Sequence, residues 1–271
     1  MKRCTYKTYL ILFGVVVGAA VVGVSAQRLE TGFLNRTVTI KDTEYRHVVY
    51  VPRGFTRARK WPVILQLHGG GAYGNDGLKH TEGGLARAIR NNPERFPAIV
   101  VFPQAHADGT PGWQLKSGQA ALAALDKTLK EFNGDEKRVV LTGYSAGANG
   151  TWSIAMRFPE RFAALVPICG FVAEFKGRTS GIDYPSLAPA NGGDVFAYVA
   201  KRVASLPIWI FHGDADASVD VEVSRKMNAA LKSTGANVQY TEFAGVDHNG
   251  ATNTAYARAD LIEWMLRQRR P

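Results

Sequence analysis

Residues 138–156 read RVVLTGYSAGANGTWSIAM, and this stretch decides the architecture. Val139, Val140, Leu141 and Thr142 form a short apolar, β-branched run, the pattern of a strand buried on both faces. The small residues from Ala146 onward predict a helix. Between them stands Gly143-Tyr144-Ser145-Ala146-Gly147, a G-x-S-x-G sequence that lifts its serine onto a sharp turn when a strand precedes and a helix follows. The five letters alone also fit a glycine-rich turn with an incidental serine. The flanking strand and helix point instead to a nucleophile at Ser145.

Working outward, the same alternation recurs. Upstream, residues 62–67 (PVILQL) predict a buried strand running into His68-Gly69-Gly70-Gly71, and residues 98–102 predict another. Helices are expected over 78–91 and 118–132, the second from Ala121, Leu122, Leu125 and Leu129 at helical spacing. Downstream, strands are expected at 163–168, 207–211 and 238–243, with helices at 221–234 and 256–268. Near the start, residues 37–40 and 46–51 alternate polar and apolar positions about a turn, which predicts an antiparallel pair at a sheet edge. Strands separated by helices of this length imply an α/β fold, with a mostly parallel sheet of about eight strands and helices on both faces. Residues 170–204, rich in glycine and proline, read as an irregular excursion, a lid or pocket wall within a single catalytic domain spanning 27–271.

The chain has 271 residues, and its first 26 carry Lys2, Arg3 and Lys7, an uncharged run from Tyr9 to Val24, and Val24-Ser25-Ala26. This is the pattern of a signal peptide cut after Ala26, giving a secreted or periplasmic protein. The alternative is an uncleaved anchor, although sixteen apolar residues fall short of the roughly 18 to 20 that usually span a bilayer. After cleavage no stable membrane insertion is expected. The formal charge is +10 for the whole chain. Its basic residues are scattered rather than gathered into a stripe with aromatics, so no nucleic-acid partner is implied. Cys169, alone once the leader is removed, reads as a buried strand residue and not a nucleophile.

Ser145 needs a base, because a free hydroxyl is a weak nucleophile near neutral pH. Ligands in such a fold bind beyond the carboxyl ends of the strands. Of the six histidines, His47, His80 and His106 precede the elbow, and His68 and His212 begin glycine turns that an imidazole commonly braces. His248 follows the last strand, as the order serine, acid, histidine requires. The acid should follow the strand at 207–211, where Asp214, Asp216 and Asp220 compete. Asp220 sits at a helix N-cap and Asp214 can cap the turn, so Asp216 is the choice and Asp214 its rival. For a developing oxyanion, the backbone N–H of Ala146 is one donor and that of Gly70 the second, with Gly71 as the alternative. Gly71, Tyr144 and Trp113 are expected on the substrate wall, core packing being the other reading of Trp113. No phosphate loop and no metal-ligand spacing is present, so neither cofactor nor metal is expected.

With these residues in place, the chain resembles the α/β-hydrolase superfamily from about Thr37 to Gln268. More narrowly it is similar to secreted bacterial carboxylesterases described as predicted peptidases, phospholipase/carboxylesterases or polyhydroxybutyrate-depolymerase-like esterases. The likeness rests on LQLHGGGAYGND (65–76), VVFPQ (100–104), GYSAGANGTW (143–152), RFPERFAALVPICG (157–170), PIWIFHGDAD (207–216) and GVDH (245–248). It places nucleophile, acid and histidine on Ser145, Asp216 and His248. Two departures stand out: Asp216-Ala217-Ser218-Val219-Asp220 replaces the usual Asp-Pro-x-Val-Pro, and the aromatic that often follows the histidine is missing, which implies a more open acyl pocket. The resemblance implies a cofactor-free serine carboxylesterase acting on a small or polymeric ester. A peptidase of prolyl-oligopeptidase type and a catalytically silent binding protein are the alternatives.

Overall fold

The computed structural model describes Met1 and residues 30–106, 112–176 and 181–271. The expected leader, residues 1–26, lies outside the described residues apart from Met1. Among the described residues no helix is long and apolar enough to cross a membrane.

Strands β1 (Gly32–Ile40) and β2 (Thr43–Val51) form the expected antiparallel hairpin, with Gly32 opposite Val51 and Ile40 opposite Thr43. β3 (Trp61–Leu67), β4 (Ile99–Pro103), β5 (Gly134–Tyr144) and β6 (Ala164–Ile168) follow, and β9 (Ile208–Gly213) and β10 (Val238–Phe243) complete one eight-stranded sheet. Its order is β1-β2-β4-β3-β5-β6-β9-β10, and from β4 to β10 all neighbours run parallel.

The strand alternation divides the core in two. Val63, Leu65, Leu67, Val139 and Leu141 point to one face with Val49 and Val51, where they meet α2 (Lys116–Glu131) through Ala121, Ala124 and Leu125 and α3 (Ala146–Arg157) through Trp152 and Ile154. Ile64, Val100, Val140 and Val166 point to the other, under α1 (Gly84–Asn91) through Leu85 and Ile89. Each such side chain contributes about 1.5 to 3 kcal/mol by leaving water. Burial on both faces is why the central strands read as unbroken apolar runs.

Three helical expectations are revised. The helix expected over 78–91 starts only at Gly84, because the chain makes a 3-10 turn at Lys79–Thr81 and then reverses through Gly83 and Gly84. The excursion at 170–204 is partly regular. It holds a short hairpin of β7 (Phe175–Lys176) and β8 (Asp183–Tyr184), then α4 (Val195–Val203), whose N-terminus is capped by the Asp194 carboxylate accepting from Phe196 N–H at 3.0 Å. After α5 (Glu222–Ser233) and β10, an unexpected helix, α6 (His248–Ala257), comes first, and the closing helix expected over 256–268 is α7 (Ala259–Arg267), set off from α6 by the extended Arg258.

Candidate active site

β5 delivers Ser145 to the carboxyl edge of the sheet, and α3 starts at the next residue. Ser145 has φ 54° and ψ −121°, a conformation that L-residues avoid. Such strain costs about 1 to 3 kcal/mol and persists only where the surroundings enforce it. They do so here: Ser145 N–H donates to Ile168 O at 2.9 Å, and the start of α3 presses onto the end of β3. A Cβ on Gly147 would lie 2.1 Å from Leu67 O, so only glycine allows that approach.

The loops after β9 and β10 are clamped together in the same way. Gly213 would carry a Cβ 2.1 Å from Val246 O, and Ala215 N–H donates to that carbonyl at 3.2 Å. The clamp brings Asp216 to His248, with Oδ2 2.6 Å from Nδ1. His248 is the first residue of α6, whose N-cap, Asp247, accepts from Gly250 N–H. Asp214 instead accepts from Gly245 N–H at 2.6 Å and is exposed. Of the two carboxylates, therefore, Asp216 reaches the imidazole and Asp214 ties the turn before it.

Asp216 is enclosed and heavily hydrogen-bonded. Oδ1 accepts from Ser218 N–H at 2.8 Å and Val219 N–H at 2.9 Å, and Oδ2 receives His212 Nε2 at 3.1 Å beside His248. His212 Nε2 also lies 3.0 Å from Val219 O, so this nitrogen carries the proton, and Nδ1 accepts from Ser224 Oγ at 2.6 Å. Burial alone would push the Asp216 carboxyl up. The hydrogen bonds from His212, His248 and Val219 outweigh it and hold the group far below the usual carboxylate range. Cys169, His212 and Asp216 bring donor atoms within 4.8 Å of one another. The thiol is not poised as a thiolate, because burial and then Asp216 push its pKa up. Cys169 Sγ lies 3.8 Å from His248 O.

Ser145 and His248 line one cavity of about 540 Å³, a size suited to a small organic ligand. Among the described residues no hydrogen bond closes from Ser145 Oγ to the imidazole, as is common in unliganded sites. Gly70, Gly71, Tyr144 and Ala146 also line the cavity. Phe171, Phe175 and Tyr184 form an aromatic wall that the sequence reading did not name. Phe171 stacks on Phe175 with ring centroids 4.2 Å apart and meets Tyr184 edge-on at 5.1 Å, and Tyr184 shares a hydrogen bond with Tyr73 at 2.8 Å. Three residues of the excursion thus line this cavity.

Trp113 is corrected. It is fully buried under α3, where a Cβ on Gly150 would lie 2.4 Å from it, and its Nε1–H donates to His68 O at 3.1 Å. It braces the glycine turn from behind and is not part of the cavity wall. His68 has the bracing role expected of it: Nδ1–H donates to Gly69 O at 2.7 Å and Nε2 accepts from Ala105 N–H at 3.0 Å. His212 braces a turn too, but the turn is that of Asp216, a link visible only once its ring and Asp216 share a hydrogen bond.

Sheet, elbow and clamped loops define an α/β-hydrolase. The chain belongs to the prolyl oligopeptidase family, peptidase S9, whose model matches residues 112–270. A solved structure of a thermostable esterase is 30% identical, with a TM-score of 0.71, over 88% of this chain and 63% of that one. A probable acetylxylan esterase A of Aspergillus fumigatus is 24% identical over 68% of this chain and 49% of its own length. An uncharacterized secreted protein of Arthroderma benhamiae is 23% identical over 71% of this chain and 22% of its own. The chain thus spans half or less of these two relatives.

Proposed function

We propose that the protein is a serine carboxylesterase, with Ser145 as nucleophile, His248 as general base and acid, and Asp216 as the carboxylate that orients His248. The observation that carries this reading is the 2.6 Å contact of Asp216 Oδ2 with His248 Nδ1, on a cavity that His248 shares with the strained Ser145. With Nδ1 engaged, Nε2 is the nitrogen left to accept the Ser145 proton. Ser145 Oγ attacks the ester carbonyl, and the tetrahedral oxyanion is met by the N–H groups of Ala146 and Gly70. Collapse expels the alcohol, which takes its proton from His248 Nε2. Water, deprotonated by the same nitrogen, then releases the acid from Ser145. No step calls for a cofactor.

The esterase names of the thermostable structure and of the Aspergillus relative support ester hydrolysis. The leader pattern and the secreted relative support export. Family membership favours one second reading, cleavage of peptide amides by the same residues. The test is hydrolysis of short p-nitrophenyl esters by the full chain, beside the matching amides, with Ser145→Ala and fluorophosphonate labelling as controls. Ester turnover lost in Ser145→Ala is the expected result. Turnover that survives this substitution rejects the assignment, and faster amide than ester cleavage moves it to a peptidase.

A further inference from the structure

The cavity lining is of two kinds. Besides the aromatic residues it holds Lys79, Glu82 and Arg87, the last on α1 one turn beyond Gly83, which also lines the cavity. Arg87 differs from every other described arginine. Each of those holds a carboxylate, as Arg36 and Arg225 do, a carbonyl oxygen, as Arg138 and Arg95 do, or an aromatic ring, as Arg59 does over Trp61 at 3.8 Å. Among the described residues the Arg87 guanidinium has no hydrogen bond and no ion pair. It is exposed, and it lines the same cavity as Ser145 and Tyr144. Lys79 already has a counterion, Asp76 at 3.8 Å.

A guanidinium presents a planar fork of donors that matches a carboxylate. The chain's formal charge of +10 also favours the approach of anionic over neutral ligands. We propose that Arg87 is a specificity determinant that selects esters carrying a second, ionised carboxylate, which it receives while the ester carbonyl lies at Ser145. This rests on the esterase reading above. The carboxylate can belong to the acyl part, as in a half-ester of a dicarboxylic acid, or to the alcohol part, as in an acylated uronic acid. Glu82, which lines the same cavity, opposes such a ligand and gives the electrostatics a second sign to check.

The experiment compares kcat/KM for paired substrates with the full chain. One arm sets p-nitrophenyl hydrogen glutarate against p-nitrophenyl valerate, and the other sets acetylated glucuronic acid against acetylated glucose. The readout is the anionic-to-neutral ratio. Wild type is expected to favour the anionic member in at least one arm. There, Arg87→Gln lowers the ratio about tenfold through KM, the size of one partly exposed charge-assisted hydrogen bond. Arg87→Lys restores part of it, and Glu82→Gln raises it. At about 1 M salt, where screening acts within about 3 Å, the wild-type ratio falls toward that of Arg87→Gln. A ratio equal in wild type and Arg87→Gln in both arms overturns the proposal, as does an equal loss on both substrates of each pair. If wild type turns over none of the four esters, the esterase reading fails instead. Unchanged unfolding midpoints show that the variants are folded.

Discussion

His212 Nε2 and His248 Nδ1 both reach one oxygen of Asp216, at 3.1 and 2.6 Å, so the proposed acid is held by two imidazoles rather than one. Its other oxygen is fixed by the N–H groups of Ser218 and Val219, and no rotation of the carboxylate is left free. His212 is thereby a positioning residue. His212→Phe removes the donor to Asp216 and Val219 O and the acceptor for Ser224, leaving buried polar groups at about 1 to 3 kcal/mol each. We expect a lower unfolding midpoint and a loss of kcat of about tenfold or more. His212→Gln, which can still donate at this position, should recover part of both. If His212→Phe lowers the midpoint and leaves kcat intact, the ring is a core histidine only.

Asp214 and Asp216, two residues apart, are separable by conservative change. Asp214 accepts from Gly245 N–H, and an asparagine oxygen can do the same. Asp216→Asn puts an amide where Oδ2 must accept from His248 Nδ1 and His212 Nε2. Loss of kcat on the order of 10³ to 10⁴ is expected for Asp216→Asn, as when an orienting carboxylate is lost elsewhere. For Asp214→Asn a change of less than about threefold is expected, from the mild perturbation of an exposed turn. Steady-state kinetics on one p-nitrophenyl ester decides, and the reverse ranking would exchange the two roles.

These assignments show where the sequence was readable. The parallel strands stood out because both faces are buried, and the elbow because a G-x-S-x-G lay between one of them and a helix. Of the carboxylates after β9, the one that the sequence favoured, Asp216, is the one that meets His248. The helix at 195–203 was hidden by Pro185, Pro189 and Gly192-Gly193 just before it, although Asp194 followed by VFAYVAKRV carries both a cap and an apolar stripe. The break between α6 and α7 at Arg258 has no proline or glycine to announce it. Of the cavity lining, Gly71 and Tyr144 were legible and the aromatic and charged side chains were not. Phe171, Phe175 and Tyr184 meet Lys79, Glu82 and Arg87 only through the fold, and Trp113 went to the core because α3 needed its bulk beneath Gly150.

Phe175 is the part of the aromatic wall most open to change. It is half-buried, it lies on the β7–β8 hairpin, and its chief contact is the stacked Phe171 at 4.2 Å. An aromatic pair of this kind contributes about 0.5 to 1.5 kcal/mol beyond its buried area. Phe175→Ala should therefore reduce stability modestly while widening the cavity. For esters with an aromatic acyl group, kcat/KM should fall about five- to tenfold relative to p-nitrophenyl acetate, because the stacking surface is lost. A uniform change across acetyl, butyryl and cinnamoyl esters would show that the ring does not touch the acyl group.

Acid should destabilise the fold before its carboxylates titrate. His47, in β2, and His80, in the 3-10 turn at Lys79–Thr81, are both buried. Burial pushes each down to about 4, helped at His47 by Lys127 and Arg36 and opposed at His80 by Asp76. In the unfolded chain a histidine titrates near 6.5. Between these values the unfolded state takes up protons that the folded state refuses, so stability falls as pH falls from about 6.5 to about 4, and His68, which burial pushes down to about 3, carries the fall further. For His47 and His80 its size is on the order of 3 kcal/mol each. Urea unfolding at several pH values across that window measures it. His47→Gln, which cannot take up a proton, should flatten the slope by its own share, whatever its cost near neutral pH. A variant that loses as much stability as wild type over the same interval would mean that the buried histidines do not set the acid limit.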